Sequence, residues 1–375
     1  MKLKNNEIVQ KLSADLKSEL AASLQALSCE WAKREGLAPF RVSDIAQTDG
    51  ENGFPSFAAL ANSWNAGLVG EVCGALARRQ AGGEPSLCFV PAVNVRAHPC
   101  GEGASEDPYL TGIYAAAVDS AVRGAGALPC FSALPQGKDA SMLDSAYEPR
   151  ALSDCFLAPL AYLPEIGFAA ALPAGGEYEE NPNMIAARKA LVSRAGREGA
   201  AVCVNAAGRC AKALAEGMIP ADGDAGEIAA AREEYERLRD AAARGEVFPA
   251  ELKTACRGGE ALSEETIDEA ADRAVTLSEL VLSAHEKAAE GQEEKDAEEL
   301  LRCAAEESVV LLANDGILPL REGCSVAVFG VGGEAFCDAL GGEGLRCAGF
   351  AAGYAPEQDR SDELIPPAAE LAGKA

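Results

Sequence analysis

The feature that most constrains this chain is a regular alternation. Short apolar runs of strand length are separated by longer segments with helical spacing. The runs are "FRVSD", "SLCFVPAVNV", "GALPCFSALP", "IGFAAALPAGG" and "AAVCVNAAG". Between them stand "FPSFAALANSWNAGLVGEVCGALARRQ", "YLTGIYAAAVDSAVRGAG", "EPRALSDCFLAPLAYL", "NMIAARKALVSRAG" and "RCAKALAEG", all read as helical. Strands separated by helices predict parallel pairing, because a parallel neighbour is reached only by a crossover. Over about 280 residues such a series predicts a (β/α)-barrel in preference to an open sheet. Residues 1 to 35 add one or two amphipathic helices, and 226 to 300 are rich in alanine and glutamate and read as helical, with a capping-box pattern opening at Ser263 and Thr266. "AEGQEEKDAEEL" reads as a solvated linker. After it, "AAEESVVLLANDGILPL" predicts helix, turn and apolar run, and "CSVAVFGVGGEAF" predicts a buried strand entering a glycine turn, the start of a second α/β unit. No internal repeat is present.

Composition narrows the partners. The 375 residues carry a net charge of -26, a surface that repels nucleic acid and anionic lipid. No apolar run is long enough for a bilayer, and the first twenty residues lack the apolar core of a secretory signal. Thirteen cysteines lie singly, without a C-x-x-C pair, and the histidines are only His98 and His285, which argues against a structural zinc site. Scattered thiols fit a reducing cytoplasm, most of them are expected to be small core residues, and no metal or other cofactor is expected.

The stretch "GEGASEDPYLTG", residues 101 to 112, poses a choice between a carboxylate-bearing loop and a helix entrance. Ser105 fits an N-cap, acids follow it, and Pro108 fits the first helical position, which favours the entrance. A barrel places catalytic groups at the C-terminal ends of its strands. The acids there are Asp44 after "FRVS", with Glu102, Glu106 and Asp107 after "PAVNV"; Asp139 and Asp144 stand further into a loop. Asp44 follows its strand directly and is the candidate substrate-binding residue, with capping of the next turn as the competing role. "AAVCVNAAG" is followed by no acid, and neither histidine sits in a triad-like setting. A second chemistry is open at Gly330, Gly332 and Ala335, whose G-x-G-x-x-A order after a strand could cradle a nucleotide pyrophosphate. The acid that should close such a site is not evident in "GLRCAGFAAG".

Several segments, in order, resemble glycoside hydrolase family 3, the β-glucosidase-like enzymes. "RVSD" resembles a strand end R/MVSDGPHG. "FPSFAALANSWNAGLVGEV" resembles a helix FP-x-A-x-x-LA-x-(S/T)W. "PAVNVRAHPCGEGASEDPYLTGIYAAA" resembles P-x-VNI through SEDPYLSGE-x-AAA. "LDSAYEPRALSDCFLAPL" resembles VD-x-x-VDERTLREIYL-x-PF, and "AAEESVVLLANDGILPL" is similar to AAEESIVLLKNDG-x-LPL, which opens the family's second domain. The resemblance implies a (β/α)-barrel-like domain over 1–285, a helical linker over 286–303 and a partial α/β sandwich domain over 304–375, incomplete at its C-terminal side. It implies hydrolysis of O-glycosyl bonds, carbohydrate as ligand, and a protein partner or second copy covering the open second domain. It also implies that Asp44 matches the sugar-binding aspartate.

Other positions depart from the pattern. Glu102 falls where the family has the arginine of GRNFEYF, Pro129 and Cys130 replace a lysine–histidine pair, "LPAGG" before Glu177 replaces the YNKVNG loop, and Asn205, Ala206 and Ala207 stand at the Ser-Asp-Trp of the nucleophile. A retaining glycosidase needs two carboxylates about 5 to 5.5 Å apart, and asparagine or alanine forms no glycosyl-enzyme. The expectation is therefore a catalytically impaired or inactive protein with no assigned catalytic residue. The alternatives are an active glycosidase using relocated carboxylates (Asp44, Glu102, Glu106) or a completing partner, and a nucleotide-binding protein using the 330–335 turn.

Overall fold

The computed structural model describes residues 3–24, 37, 39–45, 55–91, 94–96, 103–132, 150, 152–163, 169–172, 182–198, 201–204, 210–220, 224–288, 297–329, 333–342 and 344–351. The chain divides into two compact units, Met1–Val310 and Leu311–Ala375. The first is a mixed helix and sheet structure. After helices α1 (Asn6–Val9) and α2 (Ala14–Ala22), six strands follow: β1 (Arg41–Asp44), β2 (Ser86–Val90), β3 (Ala127–Ser132), β4 (Ala169–Leu172), β5 (Ala201–Val204) and β6 (Ile219–Pro220). They form one sheet in the order β1-β2-β3-β4-β5-β6, with every pair parallel. The predicted alternation thus becomes sequential parallel neighbours.

The apolar runs are nearly continuous because the central strands are buried on both faces. Cys88 and Val90 of β2 and Ala127 and Phe131 of β3 join one core with helices α4 (Ala66–Ala81) and α5 (Pro108–Gly124). Their neighbours Leu87, Leu128 and Cys130 point the other way, into a second core. That core is sealed by α2 and by α10 (Glu264–Glu286), through Leu20, Ala274, Leu277 and Val281. Strand β1 is different: Ser43 is buried while Arg41, Val42 and Asp44 are exposed. It is the end strand among those described, and the Asp44 N–H donates to Gln80 Oε1 at 3.1 Å. A side chain, not another strand, satisfies the outer edge there.

Helices α4 and α5 pack unusually close. A Cβ on Gly70 would lie 3.0 Å from the Ala117 carbonyl oxygen, and one on Gly74 would lie 3.2 Å from that of Ala121. The segment expected to be one helical stretch from Phe54 is, over its described residues, two: α3 (Phe57–Ala61) and α4, separated by Trp64 at φ +57° and restarted by Asn65, whose Oδ1 accepts from Leu68 N. The segment "LSDCFLAPLAYL" is not a regular α-helix either. It forms a π-turn over Leu152–Leu157 and a 3-10 turn over Ala158–Tyr162. Pro159 has no N–H to donate and crowds the preceding turn, which explains the departure. The remaining helices of this unit are α6 (Pro182–Glu198), α7 (Cys210–Ala215), α8 (Ala225–Ala243), α9 (Pro249–Gly258) and α11 (Ala297–Glu307). Ser263 does cap α10, accepting from Thr266 N at 3.2 Å, as the sequence predicts. Most of the linker expected at 289–300 lies outside the described residues.

The second unit holds β7 (Ser325–Phe329), α12 (Gly333–Gly342) and β8 (Arg346–Ala351), with β7 and β8 parallel. Cys337 of α12 and Cys347 of β8 form a disulfide, Cα–Cα 5.4 Å. The expectation of thiols only is corrected at this pair, because the strand following α12 brings Cys347 back beneath Cys337. Among the described cysteines, Cys73, Cys88, Cys130 and Cys210 are buried thiols, the small core residues anticipated. Among the described residues, no helix is long and apolar enough to cross a membrane.

Candidate functional site

The parallel sheet brings its strand ends to one edge, and Asp44 stands on it. Asp44 ends β1 in register with Phe89 of β2, and its side chain is exposed. The residue before it points inward: Ser43 Oγ lies 2.8 Å from Ser86 Oγ in a buried hydroxyl pair. Strand alternation thus buries Ser43 and presents Asp44. Burial pushes the Cys88 thiol up to about 12; a hydrogen bond from Ser43 opposes this and the negative charge of Asp44 adds to it. Cys88 is consequently a core thiol and no nucleophile.

The loop after β2 is gripped at its neck. Val95 forms a parallel bridge with Ser105, and the Arg96 N–H donates to the Ser105 carbonyl at 2.8 Å. Arg96 Nε donates to the Gly103 carbonyl at 3.0 Å. Only glycine fits at 103, because a Cβ there would stand 2.5 Å from Arg96 N and 2.6 Å from the Asn94 carbonyl oxygen. The helix entrance follows, with one correction. The N-cap of α5 is Asp107, not Ser105: Asp107 Oδ1 accepts from Tyr109 N at 2.8 Å, and Ser105 Oγ accepts from Asp107 N at 3.1 Å. Pro108 occupies the first turn as expected. Ser105 is displaced from the cap because its backbone is held in the bridge to Val95, so the chain turns helical two residues later. The Asp107 carboxylate is engaged by the helix, whereas Glu106 is exposed.

Other expected positions separate. Pro129 and Cys130 lie within β3, buried, with Cys130 in the core against α10. Neither can meet a ligand from solvent. His285 sits on α10, its Nδ1 3.3 Å from the Gly126 carbonyl oxygen, where it ties that helix to the turn entering β3. His98, Glu102, Asp139, Asp144, Glu177, Asn205, Ala206 and Ala207 lie outside the described residues, as do Gly330 and Gly332; Ala335 is in α12. Arg96, a cation at the loop neck, belongs to no motif; its position directly after "VNV", beyond a strand end, is its signal in the sequence. Among the described residues, no group of three His, Cys, Asp or Glu could hold a metal ion.

A separate groove of about 440 Å³ lies along the α4–α5 crossing, lined by Gly70, Gly74, Ala121, Glu71 and Arg78, with Leu300 of α11. Its small residues are those the close helix crossing requires.

No protein-family model matches the chain. The thermostable β-glucosidase B of Acetivibrio thermocellus is 27% identical over 305 residues, 77% of this chain and 37% of that protein. An exo-α-(1→6)-L-arabinopyranosidase of Bifidobacterium longum is 27% identical over 172 residues, 40% of this chain and 23% of its own length. Among solved structures, the glycoside hydrolase family 3 β-glucosidase of Bifidobacterium adolescentis superposes with a TM-score of 0.61 at 18% identity, covering 97% of this chain and 55% of that one. β-Glucosidase 3B of Thermotoga neapolitana superposes at 0.58 with 19% identity, covering 97% and 56%. The chain therefore spans little more than half the length of these structures and less than two fifths of the curated relatives it matches.

Proposed function

From a chain that resembles glycoside hydrolase family 3 in sequence and shares the fold of its β-glucosidases, we propose a carbohydrate-binding protein in which glycoside hydrolysis is impaired or lost. The observation that carries the reading is the state of the strand ends. Asp44 is presented at the end of β1, on the edge where a parallel sheet binds ligands, and matches the family's sugar-binding aspartate. The positions that would supply chemistry do not follow suit. Cys130 and Pro129 are core residues, and β5 runs into Asn205-Ala206-Ala207, where the family has its nucleophile. Without a carboxylate there, no covalent glycosyl-enzyme forms; without the lysine–histidine pair, charge developing in the transition state loses stabilisation.

The alternative of relocated carboxylates rests on Asp44, Glu102 and Glu106; Asp107, next to Glu106, is committed to capping α5. The finer architecture belongs to the same proposal: a (β/α)-barrel-like domain over 1–285, a helical linker over 286–303 and an α/β sandwich unit over 304–375. Its support is the sequential parallel strand order and the β7-α12-β8 unit. A cytoplasmic location, and a protein partner or second copy on the second domain, remain parts of the proposal.

The test is hydrolysis of aryl β-glucosides and aryl α-L-arabinosides by folded protein, beside saturation-transfer NMR with glucose. The expected result is no turnover above background, with glucose binding lost in Asp44→Ala. Turnover abolished by Asp44→Ala would overturn the impaired reading, and absence of sugar binding would overturn the binding one.

A further inference from the structure

We propose that Tyr109 and Tyr162 form a surface platform for a neutral saccharide chain, distinct from the Asp44 position. Only 5% of the residues are aromatic, so two exposed tyrosines in contact is a notable use of them. Their ring centroids are 5.7 Å apart at an interplanar angle of 84°, and the rings are 60% and 40% exposed as residues. An aromatic pair held edge to face leaves apolar ring surface for a sugar's C–H face and two hydroxyls for its oxygens.

The platform is fixed from beneath. Tyr162 ends the 3-10 turn, flanked by Leu160 and Leu163, both buried. Arg194 Nη1 donates to the Leu160 carbonyl at 2.8 Å. Gly112, one turn beyond Tyr109 on α5, admits the Tyr162 ring; a Cβ at 112 would overlap it. Tyr109 is held in the first turn of α5, where its N–H donates to the Asp107 cap. Rings positioned before binding lose little entropy on binding.

Location and charge suggest the ligand. α5, which carries Tyr109 in its first turn, begins where the loop from β2 ends, and β2 is the strand paired with β1, which Asp44 ends. Glu106 and Asp107 stand just before Tyr109, and the whole chain carries -26, which disfavours acidic sugars. A chain of several rings can use a platform distinct from Asp44; a monosaccharide cannot occupy both. The inference rests on the carbohydrate reading above and deepens it.

The experiment compares cellotetraose and glucose by saturation-transfer NMR and calorimetry for the wild type, Tyr109→Ala, Tyr162→Ala and Asp44→Ala. Tyr109→Ala is the informative variant, since this exposed side chain leaves no core cavity; Tyr109→Phe retains the ring as a control. The expected result is at least a tenfold loss of tetraose affinity in both tyrosine variants, near-normal affinity in Tyr109→Phe, and retained tetraose binding in Asp44→Ala. Equal tetraose affinity in the wild type and Tyr109→Ala overturns the platform. If glucose still binds and is lost in Asp44→Ala, the carbohydrate reading survives that failure. If neither sugar binds the wild type, both fall.

Discussion

Replacing Lys17 by methionine should destabilise the first unit by about 3 kcal/mol. Lys17 Nζ lies 2.6 Å from Asp268 Oδ1, joining α2 to α10, with side chains only 9% and 15% exposed. The contact is an ion pair without an aligned hydrogen bond at Oδ1. Gln10 Nε2 donates to the other oxygen at 3.2 Å. Removing the cation leaves a nearly buried carboxylate with one neutral donor, and breaking such pairs from one side costs roughly 3 to 5 kcal/mol. Residual exposure and the Gln10 donor place this pair at the lower end. With a urea m-value of ~3 kcal/mol/M, the midpoint should fall by ~1 M. The assay is urea denaturation followed by far-UV circular dichroism. Lys17→Met/Asp268→Leu should recover most of the loss, because both charges then leave together. Glu279→Ala is the surface control: its pair with Lys4 is 3.0 Å long but about half exposed, and should be worth less than ~1 kcal/mol. A Lys17→Met loss no larger than that of Glu279→Ala would refute the reasoning.

Three further outcomes follow from buried groups. Tyr114→Phe should cost about 1 kcal/mol in the same assay, since the buried Tyr114 hydroxyl donates to the Ala61 carbonyl at 2.7 Å and ties α5 to α3. Burial raises Cys73 and Cys88 to about 12, so iodoacetamide at pH 8 should spare both in native protein and modify both in urea; rapid native labelling would contradict their placement. Burial raises Asp119 above its ordinary 3.8, the Arg123 guanidinium only partly opposing it. The folded state then holds that proton more tightly than the unfolded chain. Its contribution to stability is present below the unfolded value and declines as pH rises towards the native one. Asp119→Asn should flatten that part of a stability–pH profile measured upward from pH 4, and an unchanged slope would count against the assignment.

Much of the architecture is legible in the residues. Alternating apolar runs and helical segments specify parallel strands, because the periodicity of each element is local and each strand is separated from the next by a segment long enough for a crossover. Asp44 is legible for the same reason: it follows an apolar strand directly, and the structure exposes it at that strand's end. Ser263 carries its capping signal locally, and the structure uses it. Ser105 carries an equally good local signal and is overruled, because its backbone is engaged in a bridge to Val95. Trp64 and Pro159 mark breaks that apolar spacing alone does not reveal.

The sequence by itself determined the parallel α/β alternation, the acidic surface, the family resemblance and the departures from its motifs. Only the tertiary structure decided that the second face of the sheet is closed by α2 and α10, that Cys337 meets Cys347, and that Tyr162 reaches Tyr109 over Gly112. Each of these depends on side chains brought together by packing. Residues 109 and 162 carry no local signal of their meeting, since the contact is made by the space that Gly112 leaves between two connections of the sheet.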